Sequence, residues 1–127
     1  HARVCSVLRK ATDAGIACTD EALIGADLSG LNDPAELALM RKIAEWPRLV
    51  EIAARTHEPH RVAFYLYELA SEFHGLSHRG NESAALRFIQ EGDGATSTTK
   101  IALARAVGVV ISAGLGILGV RPVEEMR

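Results

Sequence analysis

With 127 residues, 48% of them hydrophobic and 24% charged, the chain suits one globular domain, residues 1–127, and is too short for two ordinary ones. A formal charge of −2 excludes a global basic footprint for non-specific nucleic-acid binding, so any RNA contact must be local and geometric. Only two cysteines occur, Cys5 and Cys18, without metal-ligand spacing or a signal-peptide pattern, which points to a reduced cytoplasmic setting with no disulfide.

The first stretch, HARVCSVLRKA, enters at full helical periodicity without a cap or an initiator Met, as in a piece of a longer protein. Val4, Val7, Leu8 and Ala11 share one side, with Arg3, Arg9 and Lys10 beside them, and Gly15 is the stop. Residues 16–32 mix Gly, Asp, Thr and Ser with short apolar pairs and predict a connector with one short helical turn.

Asp33, Pro34 and Glu36 then form a start signal: a capping side chain, a proline suited to the first turn, and an acid positioned to complete a capping box. Leu37, Met40, Ile43 and Ala44 follow at helical spacing. Trp46-Pro47 ends that helix and opens RLVEIAART, whose apolar side is Leu49, Val50, Ile52 and Ala53. Glu58-Pro59 repeats the device, so three helices meet with almost no loop.

The third of them is EPHRVAFYLYELASEFH. Its projection places Val62, Leu66, Leu69, Ala70 and Phe73 on a core stripe, Arg61, Glu68 and Glu72 on the far side, Tyr65 at the border, and Phe64 and Tyr67 on a third edge. Arg61 is spaced for a cation–π contact with Tyr65 and an ion pair with Glu68. Residues 75–99 are the least regular: Gly75 weakens helix continuity, residues 81–83 cap a short helix carrying Leu86, Phe88 and Ile89, and residues 91–95 form a polar turn. Thr98 or Thr99 caps a last helix from about Lys100 to Leu118, closed by Gly119 and stopped by Pro122.

That last helix has the length of a bilayer span and carries Gly108, Ser112 and Gly116 at four-residue spacing. Its projection instead gives a rich side of Leu103, Val107, Val110, Ile111, Ile117 and Leu118, and a thin side holding Arg105, Gly108, Ser112 and Gly116. Arg105 would cost about 2 kcal/mol or more inside hydrocarbon, which argues against a span. No segment alternates apolar and polar residues, so the fold class is all-α, a bundle of about five to six helices.

Catalytic signatures are missing: no G-x-S-x-G, phosphate-binding loop or dinucleotide glycine pattern occurs. His57/His60 and His74/His78 are the only metal-like spacings, and solvated or capping histidines explain them better, so no metal is expected.

Two segments carry a specific resemblance. EPHRVAFYLYELASEFH followed by ALARAVGVVISAGLGILGVRPVEEM is similar to the C-terminal anticodon-binding domain of bacterial arginyl-tRNA synthetases, the DALR domain of these class I enzymes. HARVCSVLRKA resembles the helix leading into that domain, and ALMRKIAEWPRLVEIAA resembles its second helix, so the likeness covers nearly the whole chain. It implies a module that grips the anticodon stem and loop of the tRNA for arginine, works with its own upstream catalytic domain, and contacts neither DNA nor a membrane, in a cytoplasmic monomer. It also implies that ATP and magnesium serve the full-length arginine–tRNA ligase, with no cofactor in this fragment.

An anticodon loop presents unstacked bases, read by aromatic stacking, Arg contacts and edge hydrogen bonds. His60, Arg61, Tyr65, Tyr67 and His78 are the candidate anticodon face, and by resemblance Met126 joins them at the terminus. Arg3, Arg9, Lys10, Arg79 and Arg87 are candidate phosphate contacts. One departure stands out: relatives carry Tyr or Trp shortly after the FH pair, where GLSHRGN places Ser77, so a stacking platform is missing there. Two other readings are weighed against this one: a helical docking module, and a single-span membrane protein through residues 101–120.

Overall fold

A computed structural model describes residues 1–125 as six α-helices: α1 (Ala2–Asp13), α2 (Asp20–Ile24), α3 (Pro34–Ala44), α4 (Trp46–Thr56), α5 (His60–Glu82) and α6 (Gly94–Ile117). Single 3₁₀ turns at Leu28–Gly30 and Ala84–Leu86 complete the regular structure, and no strand occurs among the described residues. Met126 lies outside them.

Local chemistry sets most boundaries. α1 ends in a left-handed Gly15 (φ +84°), with Ile16 N–H donating to the Ala11 carbonyl at 2.9 Å and Gly15 N–H to Thr12 at 3.0 Å. This is the closing motif that glycine makes inexpensive. At α3 both halves of the capping box form: Asp33 Oδ1 accepts from Ala35 N–H at 2.9 Å, and Glu36 Oε1 accepts from Asp33 N–H at 3.4 Å. The buried stripe of α3 is offset from the sequence expectation, centred on Glu36 and Leu39 rather than on Leu37.

Two boundaries differ from the sequence reading. Helix α5 does not stop near Gly75 but continues to Glu82, because Leu76 and Gly80 extend the buried line already drawn by Val62, Leu69 and Phe73. Burying one leucine, about 1.5–3 kcal/mol, outweighs the penalty of about 1 kcal/mol for a glycine inside a helix. Helix α6 begins at Gly94 rather than near Lys100. Its cap is Asp93, which accepts from Thr96 N–H at 3.0 Å and Thr96 Oγ1–H at 2.7 Å, while Thr99 Oγ1–H donates to the Asp27 carbonyl at 2.8 Å and ties the connector down. The expected short helix after residue 83 is one 3₁₀ turn, followed by Phe88 stacked on Phe73 at 5.5 Å between ring centroids.

Helix α6 is the axle of the bundle, touching α1, α2, α3 and α5. The side expected to be thin divides: Gly116 is open to solvent, whereas Gly108 is a contact point. A Cβ at Gly108 would come 2.8 Å from Val4 Cγ1, and on another side of the helix one at Gly114 would come 2.6 Å from Leu66 Cδ2, so α1 and α5 approach where α6 has no side chain. Conversely Ile117, expected in the core, is half exposed. The helix is long and apolar enough to cross a membrane, and half of its most apolar window is buried within this fold.

One buried ion pair crosses the core. Lys100 Nζ meets Glu36 Oε2 at 2.8 Å, with the two side chains only 6% and 4% exposed. Removing one partner strands the other charge out of water, a loss of about 3–5 kcal/mol. Lys100→Met should therefore lower unfolding free energy by about that amount in urea titrations followed by circular dichroism. Lys100→Met combined with Glu36→Leu should recover all but the capping contribution of about 1 kcal/mol.

Candidate nucleic-acid interface

The aromatic and titratable run at the head of α5 divides between core and surface. Val62, Leu66, Leu69 and Phe73 are buried as expected, but Tyr65, expected at the border, is only 4% exposed. Its ring lies 5.5 Å from that of Trp46, and its hydroxyl donates to the Lys42 carbonyl at the end of α3. Burial, then the charges of Glu45 and Glu72, push the phenol up to about 12. Tyr65 therefore offers no ring face to a ligand; it fastens α5 to the α3–α4 corner. The sequence signal it shares with Tyr67 is the same residue type two positions apart, and only the neighbouring helices distinguish them.

The ladder expected from Arg61 also resolves differently. The cation over Tyr65 is Lys42, at 5.1 Å from the ring centroid, and Glu68 pairs with Lys42. Burial alone would lower the Lys42 ammonium, but Glu68 and Glu45 together outweigh it and hold its pKa above the usual value. Arg61 turns back to Glu58 at 3.3 Å, and the same carboxylate lies 3.3 Å from His60 Nε2. Arg61 holds the Glu58 carboxyl below its ordinary range.

One exposed side of α5 carries a line of groups at helical spacing, Arg61, Phe64, Tyr67, Ser71, His74 and His78, with the exposed carboxylates of Glu68 and Glu72 on the same helix. Tyr67 is 76% exposed and Phe64 66%, with His60 meeting the Phe64 ring edge-on at 6.0 Å. Exposed rings of this size are uncommon on a helix without a partner. Phe64 belongs with the candidate residues although the sequence reading assigned it no role; its three-residue spacing from Tyr67 was the available signal.

Helix α1 runs beside the second half of this line and supplies the positive charge. Arg3 and Lys10 are exposed and make no ion pair among the described residues. Arg9 reaches the Glu124 carbonyl at 3.2 Å and His1 Nδ1 lies 3.0 Å from the Val123 carbonyl, so the segment after α6 lies along α1. His74 faces this cluster, and burial followed by the charge of Arg3 lowers its pKa, favouring the neutral imidazole. The other two candidate phosphate contacts are engaged within the fold. Arg79 forms a forked pair with Asp33, 3.0 and 3.4 Å, and Arg87 Nε donates to the Gly80 carbonyl at 2.9 Å.

The site thus has cations and donors along one side of α1 and α5 and aromatic rings toward the start of α5. No group of three His, Cys, Asp or Glu suited to a metal ion occurs among the described residues, and Cys5 and Cys18 are free thiols. Such a face can hold a flexible, anionic polymer that carries flat bases.

Comparison with known proteins gives the same direction. The family model described as "DALR anticodon binding domain" matches residues 1–126. Proteins named arginine–tRNA ligase are similar over the whole chain: 70% identity over 127 residues in Ruegeria pomeroyi, 69% over 127 in Cereibacter sphaeroides and 68% over 126 in Paracoccus denitrificans. The chain covers 22% of the length of each of these relatives. No solved structure matches.

Tyr65 gives a direct check on this arrangement. Its folded pKa lies above the unfolded value, so the folded chain holds a proton that the unfolded chain releases, and the associated stability is full below pH 10 and lost as pH rises toward 12. In a Tyr67→Phe variant, tyrosinate absorbance should appear only at about pH 12 while the chain stays folded; ionisation near 10 would contradict the buried position.

Proposed function

The chain belongs to the DALR anticodon-binding domain family, and on that footing we propose that it grips the anticodon stem and loop of the tRNA for arginine. The observation that carries this reading is the family match across residues 1–126, supported by relatives named arginine–tRNA ligase. Because the chain covers 22% of such a relative, the ligase activity is proposed for a longer protein. That protein joins arginine to tRNA in an ATP- and magnesium-dependent reaction whose nucleotide chemistry lies outside these residues. The proposal makes tRNA and a catalytic domain the partners, in a cytoplasmic monomer without DNA or membrane contact.

In this mechanism the domain holds rather than reacts. Tyr67 and Phe64 offer faces on which unstacked loop bases can lie, each stacking contact contributing about 1–3 kcal/mol. Arg61 and His60 sit beside them with donors for base edges, and the shared Glu58 carboxylate keeps both side chains at the start of α5. Arg3, Arg9 and Lys10 neutralise backbone phosphates, fixing register without reading sequence. Holding the anticodon end in one orientation fixes where the distant acceptor end points, which converts binding into positioning. Arg79, paired with Asp33, contributes through the fold that presents the face, while Arg87 donates only its Nε to the Gly80 carbonyl and keeps its charge beside Lys10 for a phosphate.

Filter binding of arginine tRNA transcripts tests the proposal. Anticodon substitutions should weaken binding, and Tyr67→Ala should weaken it by about 1–3 kcal/mol. Equal affinity for every anticodon would remove anticodon reading. Raising salt should weaken binding steeply, with log K falling by about 0.7 per phosphate contact for each log unit of salt; a flat response would remove the phosphate contacts.

A further inference from the structure

Between the start of α1 and the second half of α5 lies a hollow of about 280 Å³ lined by Arg3, His74, Ser77, His78 and Asn81. Every one of these side chains carries a hydrogen-bonding group, and none is aliphatic. Ser77 Oγ is buried and lacks a hydrogen-bond partner, the one side-chain N or O atom in that condition among the described residues. A buried hydroxyl left without a partner is unfavourable, and a ligand beside it can supply the missing hydrogen bond.

The surroundings are positive. Arg3 is not spent on an ion pair among the described residues. The hollow shares Arg3, Ser77 and Asn81 with a neighbouring one lined by Lys10 and Arg87, and shares Arg3 and His74 with another lined by Arg9 and Arg121. Carboxylates are also near this run: Glu82 is exposed and 3.9 Å from His78 Nε2, and Glu125 lines the hollow that holds Arg9 and Arg121. Neither lines the hollow itself.

We propose that this hollow seats a backbone phosphodiester of the bound RNA, with Arg3 neutralising its charge and Ser77, Asn81 and the histidines donating hydrogen bonds. The inference rests on the RNA-binding reading above and sharpens it: at this point the loop is held by its backbone rather than by a stacked base. The Ser77 hydroxyl, turned about its Cα–Cβ bond into the hollow, donates to the phosphate, and the cations of α1 extend the track on either side.

Substituting Ser77 separates the two modes. In the 127-residue chain, Ser77→Trp fills the hollow and supplies a large ring, so it weakens tRNA binding at least about tenfold if a phosphodiester sits there and preserves or tightens binding if a base does. Ser77→Ala and Arg3→Gln should each weaken binding several-fold, and Arg3→Gln should reduce the salt slope by about 0.7, the share of one phosphate contact. Should Ser77→Trp fail to fold by circular dichroism, RNA with single neutral methylphosphonates decides. One position in the loop should weaken wild-type binding yet leave Arg3→Gln binding unchanged. Tight binding by folded Ser77→Trp, or the absence of such a position, overturns the inference while wild-type binding stands. Failure of the wild-type chain to bind any tRNA overturns the RNA reading and the inference with it.

Discussion

The Glu36–Lys100 ion pair is the contact on which the arrangement of helices turns. One carboxylate serves two tasks: Oε1 closes the cap of α3 on Asp33, and Oε2 receives the buried ammonium of α6. Asp33, the other half of that cap, takes the forked Arg79 pair from α5. A single turn of chain thereby fixes the start of α3 against both long helices. Buried charges are not strong stabilisers compared with apolar residues of the same size, but they are intolerant of mispairing, which favours one packing over its neighbours. With α3 set this way, the ring of Tyr65 and the carbonyl of Lys42 lock the other end of the same helix to α5.

From this follows the division of labour in α5. The tie to α3 and the glycine notch at Gly114 on α6 press one stripe of α5 into the core, leaving Arg61, Phe64, Tyr67, His74 and His78 on the outside. Gly108 admits α1 in the same manner, and α1 brings Arg3 and Lys10 alongside His74 and Ser77. The bland surface charge of the whole chain, −2, therefore conceals a local run of cations. A domain of this kind needs no global positive charge if its partner engages one face.

Signals confined to a few consecutive residues were legible in the sequence. Asp33-Pro34-x-Glu36 names its own cap, Gly15 and Gly119 their own helix ends, and the two X-Pro steps their own breaks. Features decided across the fold were not. Nothing near Tyr65 distinguishes it from Tyr67, because the difference is made by Trp46 and Lys42 from elsewhere. Asp93 lost to Thr98 and Thr99 as the expected cap of α6 since all are capping residues, and the hydrogen bond from Thr99 to Asp27 is invisible in a local window. Gly75 misled for the converse reason: its helical penalty is local, while the burial of Leu76 that overrides it is tertiary. The candidate interface was legible in its residue types on α1 and α5; the engagement of Arg79 and Arg87 and the isolation of Ser77 Oγ required coordinates.

The central claim is that one side of the molecule, formed by α1 and the exposed line of α5, meets the RNA. Amide chemical-shift mapping of the labelled chain with the anticodon stem-loop of arginine tRNA tests it most directly. The account predicts perturbations concentrated at residues 3–10 and along α5 from His60 to Asn81, with Ile24, Leu28 and Met40, which line a hollow that contains no residue of α1 or α5, unmoved. Perturbations centred on Ile24, Leu28 and Met40, with α1 and α5 silent, would contradict it.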